Sequence, residues 1–374
     1  MNIHNYKNVF ICATEQSGDN IGACIINELL IKNKNIKFDG VGGSKISPFL
    51  NNQYFSLHDF KSIGIFEIIL SLKKYIKMII FLSKKIISNN YDLVITIDSP
   101  DFNYPLIKRI RRNRYNKKVI QIVAPTVWAW REYRAKKFAK VFDEIFILFN
   151  FEHSYFTKFG LKTTFIGHPI FYIENANKTE NDNKIVFLLG SRLGEVKKLF
   201  TFFQIAYEQL LIINPNITIF IPTLPHLEKL ISAYVDKWKI KTIILTDNIL
   251  IEKNYLNSKF ALVCTGTASL KIAKRNIPQL VIYKINILTE IILKIFVKVR
   301  YANIINIIAN KMIVPELTNS SLTKKKFIKY FVKLVTDLDS NDKQIVEIKS
   351  FLNQIHTKQP PFTIAAKKID EYLQ

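Results

Sequence analysis

Cysteine is scarce. The 374 residues hold three, Cys12, Cys24 and Cys264, and none falls in a CxxC pair. That spacing supports neither a zinc site nor a disulfide framework, and it fits a reducing compartment. No run of about 18 apolar residues occurs, so no membrane-spanning helix is expected. The N-terminal "MNIHNYKNVFICAT" leads directly into a strand pattern, so no secretory signal is expected either. No repeat at solenoid spacing is found. Acidic residues are also few: 30 Asp and Glu stand against 54 Lys and Arg, a net charge of +24. Such an imbalance suggests nucleic acid, anionic lipid or phosphorylated substrates. A lysine-rich chain also abundant in Ile and Asn fits biased genome composition equally well, so the charge alone assigns no partner.

What is present is a large apolar fraction, 48% of residues, enough for a sizeable core. Strand and helix patterns alternate. "VFICAT" (9–14), "FDGVGG" (38–43), "DLVITIDSPDF" (92–102), "KVIQIVAP" (118–125) and "DEIFILF" (143–149) read as strands of a first half. The polar stretch 174–184 reads as a linker. "KIVFLLGSRLGEVKKL" (184–199), "ITIFIP" (217–222), "TIIL" (242–245), "FALVCTGTASLKIA" (260–273) and "QLVIY" (279–283) restart the pattern. Repeated βαβ units in both halves predict two α/β domains with parallel sheets. Ligands in such folds sit beyond the C-terminal strand ends, and two such domains predict a site in the cleft they face. The expected boundaries are 1–170, 171–350 and a C-terminal helix over 351–374 packing back toward the first domain.

Four strand-end loops carry chemistry. In "ATEQSGDNIG" (13–22), Ser17, Gly18 and Asp19 precede a helix, either with the loop's backbone N–H groups facing an anion or with Asp19 or Ser17 capping that helix. In "TIDSPDFN" (96–103), Asp98 and Asp101 cluster beside a proline. They suit a general base, or again a cap. The spacing is DxxD rather than DxD, so no divalent ion is implied, and no metal site is expected. In "LLGSRLGE" (188–195), Gly190, Ser191 and Arg192 combine a tight turn, a hydroxyl and a guanidinium fork, the makings of a phosphate cradle. A plain surface arginine is the alternative. "CTGTASLK" (264–271) supplies Thr265, Gly266 and Thr267 as a second anion loop in the same half, which suggests a diphosphate. "APTVWAWREYRAKK" (124–137) sets Trp128 and Trp130 beside Arg131, Arg134, Lys136 and Lys137.

Taken in series, "ATEQSGD", "GVGG", "IDSPDFN", "PTVWAWR", "FIGHP", "LLGSRLGE", "TGTASL" and "VPEL" resemble the lipid-A-disaccharide synthase family, over roughly residues 9–320. That family comprises inverting enzymes of the glycosyltransferase-B type, with two Rossmann-like domains. The resemblance implies a UDP-diacylglucosamine donor, a diacylglucosamine 1-phosphate acceptor, UDP as leaving group and no cofactor. It implies that Asp101 activates the acceptor hydroxyl, with Asp98 beside it, and that Arg192 meets the diphosphate. Asn306, Glu316 and Asn319 would lie around the nucleotide. Glu15, Ser17, Gly18, Asp19, Trp128, Trp130 and Arg131 would line the acceptor side. Three departures stand out: Lys271 replaces a usual glutamate at the donor ribose, "TEQSGD" replaces "GEASGD", and Asn319 replaces glutamine. An ammonium cannot accept the ribose hydrogen bonds, so an inactive relative is one alternative.

Both implied substrates are lipids. In "IGIFEIILSLKKYIKMIIFLSKK" (63–85), Ile65, Phe66, Ile69, Leu72, Ile76, Ile79 and Ile80 form a stripe flanked by Lys73, Lys74, Lys77, Lys84 and Lys85. Such a helix can lie on an anionic leaflet, or can be an ordinary buried helix. Residues 287–301 are a second candidate. A cytoplasmic monomer or homodimer at the inner membrane surface is expected, serving the lipopolysaccharide of a Gram-negative outer membrane. Another glycosyltransferase-B enzyme or a sugar-nucleotide epimerase remains an alternative. A nucleic-acid partner is not expected, since no recognised motif accompanies the basic charge.

Overall fold

The computed structural model describes residues 6–60, 67–128, 132–172, 183–255, 258–264, 266–284 and 300–374. The chain divides into two compact units, Met1–Pro169 with Thr357–Gln374, and Ile170–His356.

The first unit runs β1 (Lys7–Ala13), α1 (Gln16–Lys32), β2 (Ile36–Gly42), β3 (Leu50–Ser56), α2 (Glu67–Asn89), β4 (Leu93–Ile97) and α3 (Pro100–Arg112). It continues with β5 (Lys118–Ile122), α4 (Tyr133–Ala139), β6 (Glu144–Ile147), α5 (His153–Thr157) and β7 (Lys162–Phe165). All strands pair in parallel, in the order β3-β2-β1-β4-β5-β6-β7. The central strand β4, LVITI, is buried at every position, as a parallel strand covered on both faces must be. On one face Ile25, Ile26 and Leu29 of α1 meet Ile11, Ile95, Ala365 and Ile369. On the other, Met78, Leu82 and Ile86 of α2 and Leu106, Ile107 and Ile110 of α3 meet Phe10 and Val94.

The second unit runs β8 (Lys184–Leu188), α6 (Leu193–Ile213), β9 (Thr218–Pro222), α7 (Pro225–Val235), β10 (Thr242–Leu245), α8 (Asn248–Tyr255), β11 (Ser258–Cys264) and α9 (Thr267–Lys274). Then follow β12 (Gln279–Tyr283), α10 (Ile304–Ala309), β13 (Glu316–Thr318), α11 (Lys324–Thr336) and α12 (Leu338–Ile355). Its parallel order is β10-β9-β8-β11-β12-β13. Phe187 and Phe203 pack edge to face at 5.3 Å, and Phe327 and Phe331 of α11 close the same core.

The single helix expected over 351–374 is instead the last turns of α12 and a separate α13 (Pro361–Leu373). Pro360 stands as N-cap of α13, and proline cannot carry a helix through from α12. In the first unit α13 lies against α1, where Thr363 Oγ1 donates to Glu28 Oε2 at 2.9 Å.

Both sheets reverse strand order once, β1 against β4 and β8 against β11. Beyond the carboxyl ends of strands at such a switch point, two loops turn away from each other and leave a crevice. The four loops singled out above follow β1, β4, β8 and β11.

Candidate active site

At the β1/β4 switch point the two loops are laced together. Ser17 Oγ donates to Asp98 Oδ2 at 2.9 Å, and Ser99 Oγ donates to Glu15 Oε1 at 2.8 Å. Asp98 and Ser99 both take left-handed backbone angles, φ 54° and 42°. Buried amides hold that turn: Asn103 Nδ2 and Gln121 Nε2 donate to the Asp98 carbonyl at 2.8 and 2.9 Å. Neither aspartate caps α3 through its side chain. Asp101, in the first turn of α3, has a carboxylate 78% exposed and ion-paired to Arg134 Nη2 at 2.6 Å. Arg134 belongs to the basic cluster of the sequence, but its role as Asp101's partner was not legible there.

Asp19 departs from expectation. It neither caps α1 nor reaches a surface where an acceptor could touch it, being fully buried. Its carboxylate accepts from the backbone N–H of Gly43, Lys45 and Ile46 at 2.6, 3.0 and 3.1 Å. It therefore shapes the loop after β2. Gly18 is buried beside it. Trp128 is half-buried; its ring meets Phe151 edge-on at 5.7 Å, and it hydrogen-bonds Glu152. Trp130, Arg131, Ile65, Phe66 and Thr265 lie outside the described residues, as do the segment 287–299 and the side chains of Ile69 and Thr267.

Beside Asp101 a cavity of about 370 Å³ runs between α2 and α3, walled by Phe60, Leu72, Tyr75, Ile76, Ile79 and Phe102. It is apolar along its length and polar at Glu15, Ser99 and Asp101. Helix α2 buries only part of its stripe. Met78, Leu82 and Ile86 are buried, while Leu72 and Ile76 are 58% and 49% exposed, with Lys73 and Lys77 exposed alongside.

At the β8/β11 switch point, Gly190 takes φ 112° and Gly266 φ 135°, angles that L side chains rarely adopt. A Cβ on Gly190 would also lie 2.9 Å from Glu195 Oε2 and 3.4 Å from Cys264 Sγ, so the two loops are neighbours. Glu195 organises the first: it accepts from Ser191 N–H at 3.3 Å and pairs with Arg192 Nη1 at 2.9 Å. Arg192 stays 80% exposed. Burial, with the Glu195 charge, pushes the Cys264 thiol up to about 12, so it remains protonated and is no nucleophile. Lys271 is exposed on α9.

The side chains of Asn306 and Glu316 are both engaged internally. Asn306 is fully buried; it donates to the Val314 carbonyl and accepts from Ile313 and Val314 N–H. Glu316 accepts from Ala302 and Asn303 N–H and from Asn306 Nδ2. They brace the entry to α10 against β13. Asn319 takes a left-handed φ of 48°, which asparagine tolerates well. Among the described residues no group of three or more His, Cys, Asp or Glu is placed to hold a metal.

Two all-parallel units, with carboxylates at the switch point of one and glycine-hinged loops at that of the other, define a glycosyltransferase-B fold. The same fold is seen in UDP-GlcNAc 2-epimerase from Neisseria meningitidis bound to UDP-GlcNAc (TM-score 0.63, 13% identity, 98% of this chain and 99% of that one). Acinetobacter baumannii MurG matches similarly (TM-score 0.61, 12% identity, 98% and 99%). The lipid-A-disaccharide synthetase family model matches residues 9–368. Lipid-A-disaccharide synthase of Rickettsia prowazekii is 34% identical over 379 residues, spanning 98% of this chain and 99% of its own. That of Gluconobacter oxydans is 29% identical over 360 residues, 93% and 86%. The chain belongs to the lipid-A-disaccharide synthetase family and is a glycosyltransferase of lipid A biosynthesis. Its substrate classes are a UDP-sugar donor and a sugar acceptor.

Proposed function

We propose that the chain transfers 2,3-diacylglucosamine from its UDP derivative to 2,3-diacylglucosamine 1-phosphate, releasing UDP, at the inner face of the cytoplasmic membrane. Asp101 takes the proton of the acceptor hydroxyl. That oxygen then bonds the donor's anomeric carbon as the bond to the diphosphate breaks. Positive charge builds on the ring, as in other glycosyl transfers, and negative charge builds on the leaving UDP. Arg192, Ser191 and the N–H groups of the Gly190 and Gly266 loops stabilise that charge. Glu15, Ser17 and Asp98 keep the acceptor loops in register.

The placement of Asp101 supports this most directly. It is an exposed carboxylate, oriented by an arginine, at the mouth of an apolar cavity of about 370 Å³. A carboxylate placed beside an apolar slot suits an acceptor that joins a hydroxyl to acyl chains. Leu72 and Ile76 with Lys73 and Lys77 would rest on an anionic leaflet, each basic residue contributing about 1 kcal/mol. Among the described residues no helix is long and apolar enough to cross a membrane.

The test is turnover of the two acylated sugars by purified protein with a chelator present. Disaccharide 1-phosphate and UDP are the expected products, and Asp101→Asn should abolish them. Turnover of non-acylated UDP-sugars instead would favour another enzyme on this fold.

A further inference from the structure

Between α3 and α4 lies a second cavity, of about 190 Å³, lined by Asp101, Tyr104, Tyr133, Arg134, Lys137 and Phe138. Its floor is aromatic, with Tyr104 and Phe138 stacked at 5.5 Å. Its charge is unbalanced. Arg134 is only 19% exposed and bonds Asp101, and no other bond to its guanidinium is found among the described residues. A guanidinium carries several further donors, which a largely buried group leaves unmet only where a ligand or water satisfies them. Lys137 sits with its ammonium 4.8 Å from the Tyr133 ring centroid and has no carboxylate partner among the described residues. Two cations therefore face one carboxylate.

We propose that Arg134 and Lys137 seat the phosphate monoester of the acceptor, with Arg134 bridging that phosphate and Asp101. The inference rests on the reading of Asp101 as the residue that meets the acceptor. A monoester carries close to two negative charges at neutral pH and presents oxygens that match the planar guanidinium fork. A neutral sugar hydroxyl would leave the surplus positive charge unanswered. Arg134 stands between the phosphate and the Asp101 carboxylate and pairs with both, and the phosphate sets where the acceptor lies relative to Asp101.

Binding of glucosamine 1-phosphate to the full-length protein, followed by phosphorus NMR line width, tests this without turnover. Lys137→Ala, at an exposed position, and Arg134→Gln should each weaken binding about tenfold or more. Asp101→Asn should bind at least as tightly as the parent while losing turnover, since a repelling charge is gone. With acylated substrates, Lys137→Ala should raise the acceptor KM and leave the donor KM unchanged. Binding to phosphatidylglycerol vesicles, whose phosphates are diesters, should not change in Lys137→Ala. Unaltered glucosamine 1-phosphate binding in Lys137→Ala overturns the proposal, even if Arg134→Gln fails to fold. A loss confined to vesicle binding also overturns it, assigning the lysine to the membrane surface. An Asp101→Asn protein that still turns over removes the assignment of Asp101 as base, whatever the phosphate binding shows.

Discussion

Ser17 and Asp98 are joined across the ends of neighbouring strands, the serine Oγ donating to Asp98 Oδ2 at 2.9 Å. The bond spans the crevice between β1 and β4, and it links two loops that the switch point sends in opposite directions. Asp98 also sits at φ 54°, where aspartate and asparagine are tolerated and β-branched residues are strained. Asp98→Asn, which keeps the tolerated angle but only one accepting oxygen for the Ser17 and Ser99 bonds, should lose about 1 kcal/mol in urea unfolding. Asp98→Val should lose about 1–3 kcal/mol more than that. Equal stabilities for the two variants would mean that the backbone angle carries no cost there.

Asp19 should behave as a structural residue. Removing its carboxylate strands three backbone N–H groups in a site without solvent. Leaving a buried donor unsatisfied costs about 1–3 kcal/mol. Asp19→Ala should show that loss in denaturant unfolding, and Asp19→Asn, which keeps one accepting oxygen, a smaller one. A raised acceptor KM at unchanged stability would instead restore the acceptor-contact role expected from the motif.

The contrast between Asp19 and Asp101 marks how far the sequence could be read. Buried parallel strands announce themselves: LVITI of β4 is apolar or β-branched throughout, and most of the loops that follow such strands were legible. The edge strands were not. β3 is LNNQYFS, without one buried position, and β13 has three residues. An edge strand is held by hydrogen bonds more than by burial, so it leaves little trace in hydrophobic periodicity. Motif membership also could not separate a side chain facing the crevice from one turned inward. Asp101 and Asp19 are both acids in a strand-end loop, and only tertiary neighbours give one Arg134 and the other three amides. The buried polar set of Ser269, Gln279, Asn303 and Gln344 was invisible for the same reason. Polar residues scattered along a chain read as surface until the fold brings them together.

Arg192 should matter to turnover and not to stability. Its pairing with Glu195 is largely solvent-exposed, and pairs of that kind contribute about 1 kcal/mol or less. Arg192→Ala should melt close to the parent yet lower kcat by about 10²–10³, as loss of a preorganised anion donor does. Lys271, exposed on α9, offers a companion test. Lys271→Glu should lower the donor KM if this position faces the ribose, because a carboxylate accepts hydrogen bonds that an ammonium cannot. A raised donor KM would show that Lys271 pairs with the diphosphate instead.

Two buried groups near the end of the first sheet give opposite pH responses. Burial raises the Glu152 carboxyl from 4.5 to about 7, even though Phe149 and Leu148 N–H groups and Trp128 hydrogen-bond to it and pull it down. Between about 4.5 and 7 the unfolded chain has released a proton that the folded chain keeps, so this group's stabilisation is lost as pH rises. Burial lowers His168, which stacks on Phe149, from 6.5 to about 4. Between about 6.5 and 4 the unfolded chain binds a proton that the folded chain refuses, so stability is lost as pH falls. Each slope is at most about 1.4 kcal/mol per pH unit, and in the overlap they oppose each other. Removing one should expose the other. Compared with the parent, Glu152→Gln should lose Tm progressively as pH is lowered from 7 to 4.5, and His168→Gln should gain it as pH is lowered from 6.5 to 4. Melting curves collected across that range, with variant and parent running parallel, would show that neither group changes its protonation on unfolding.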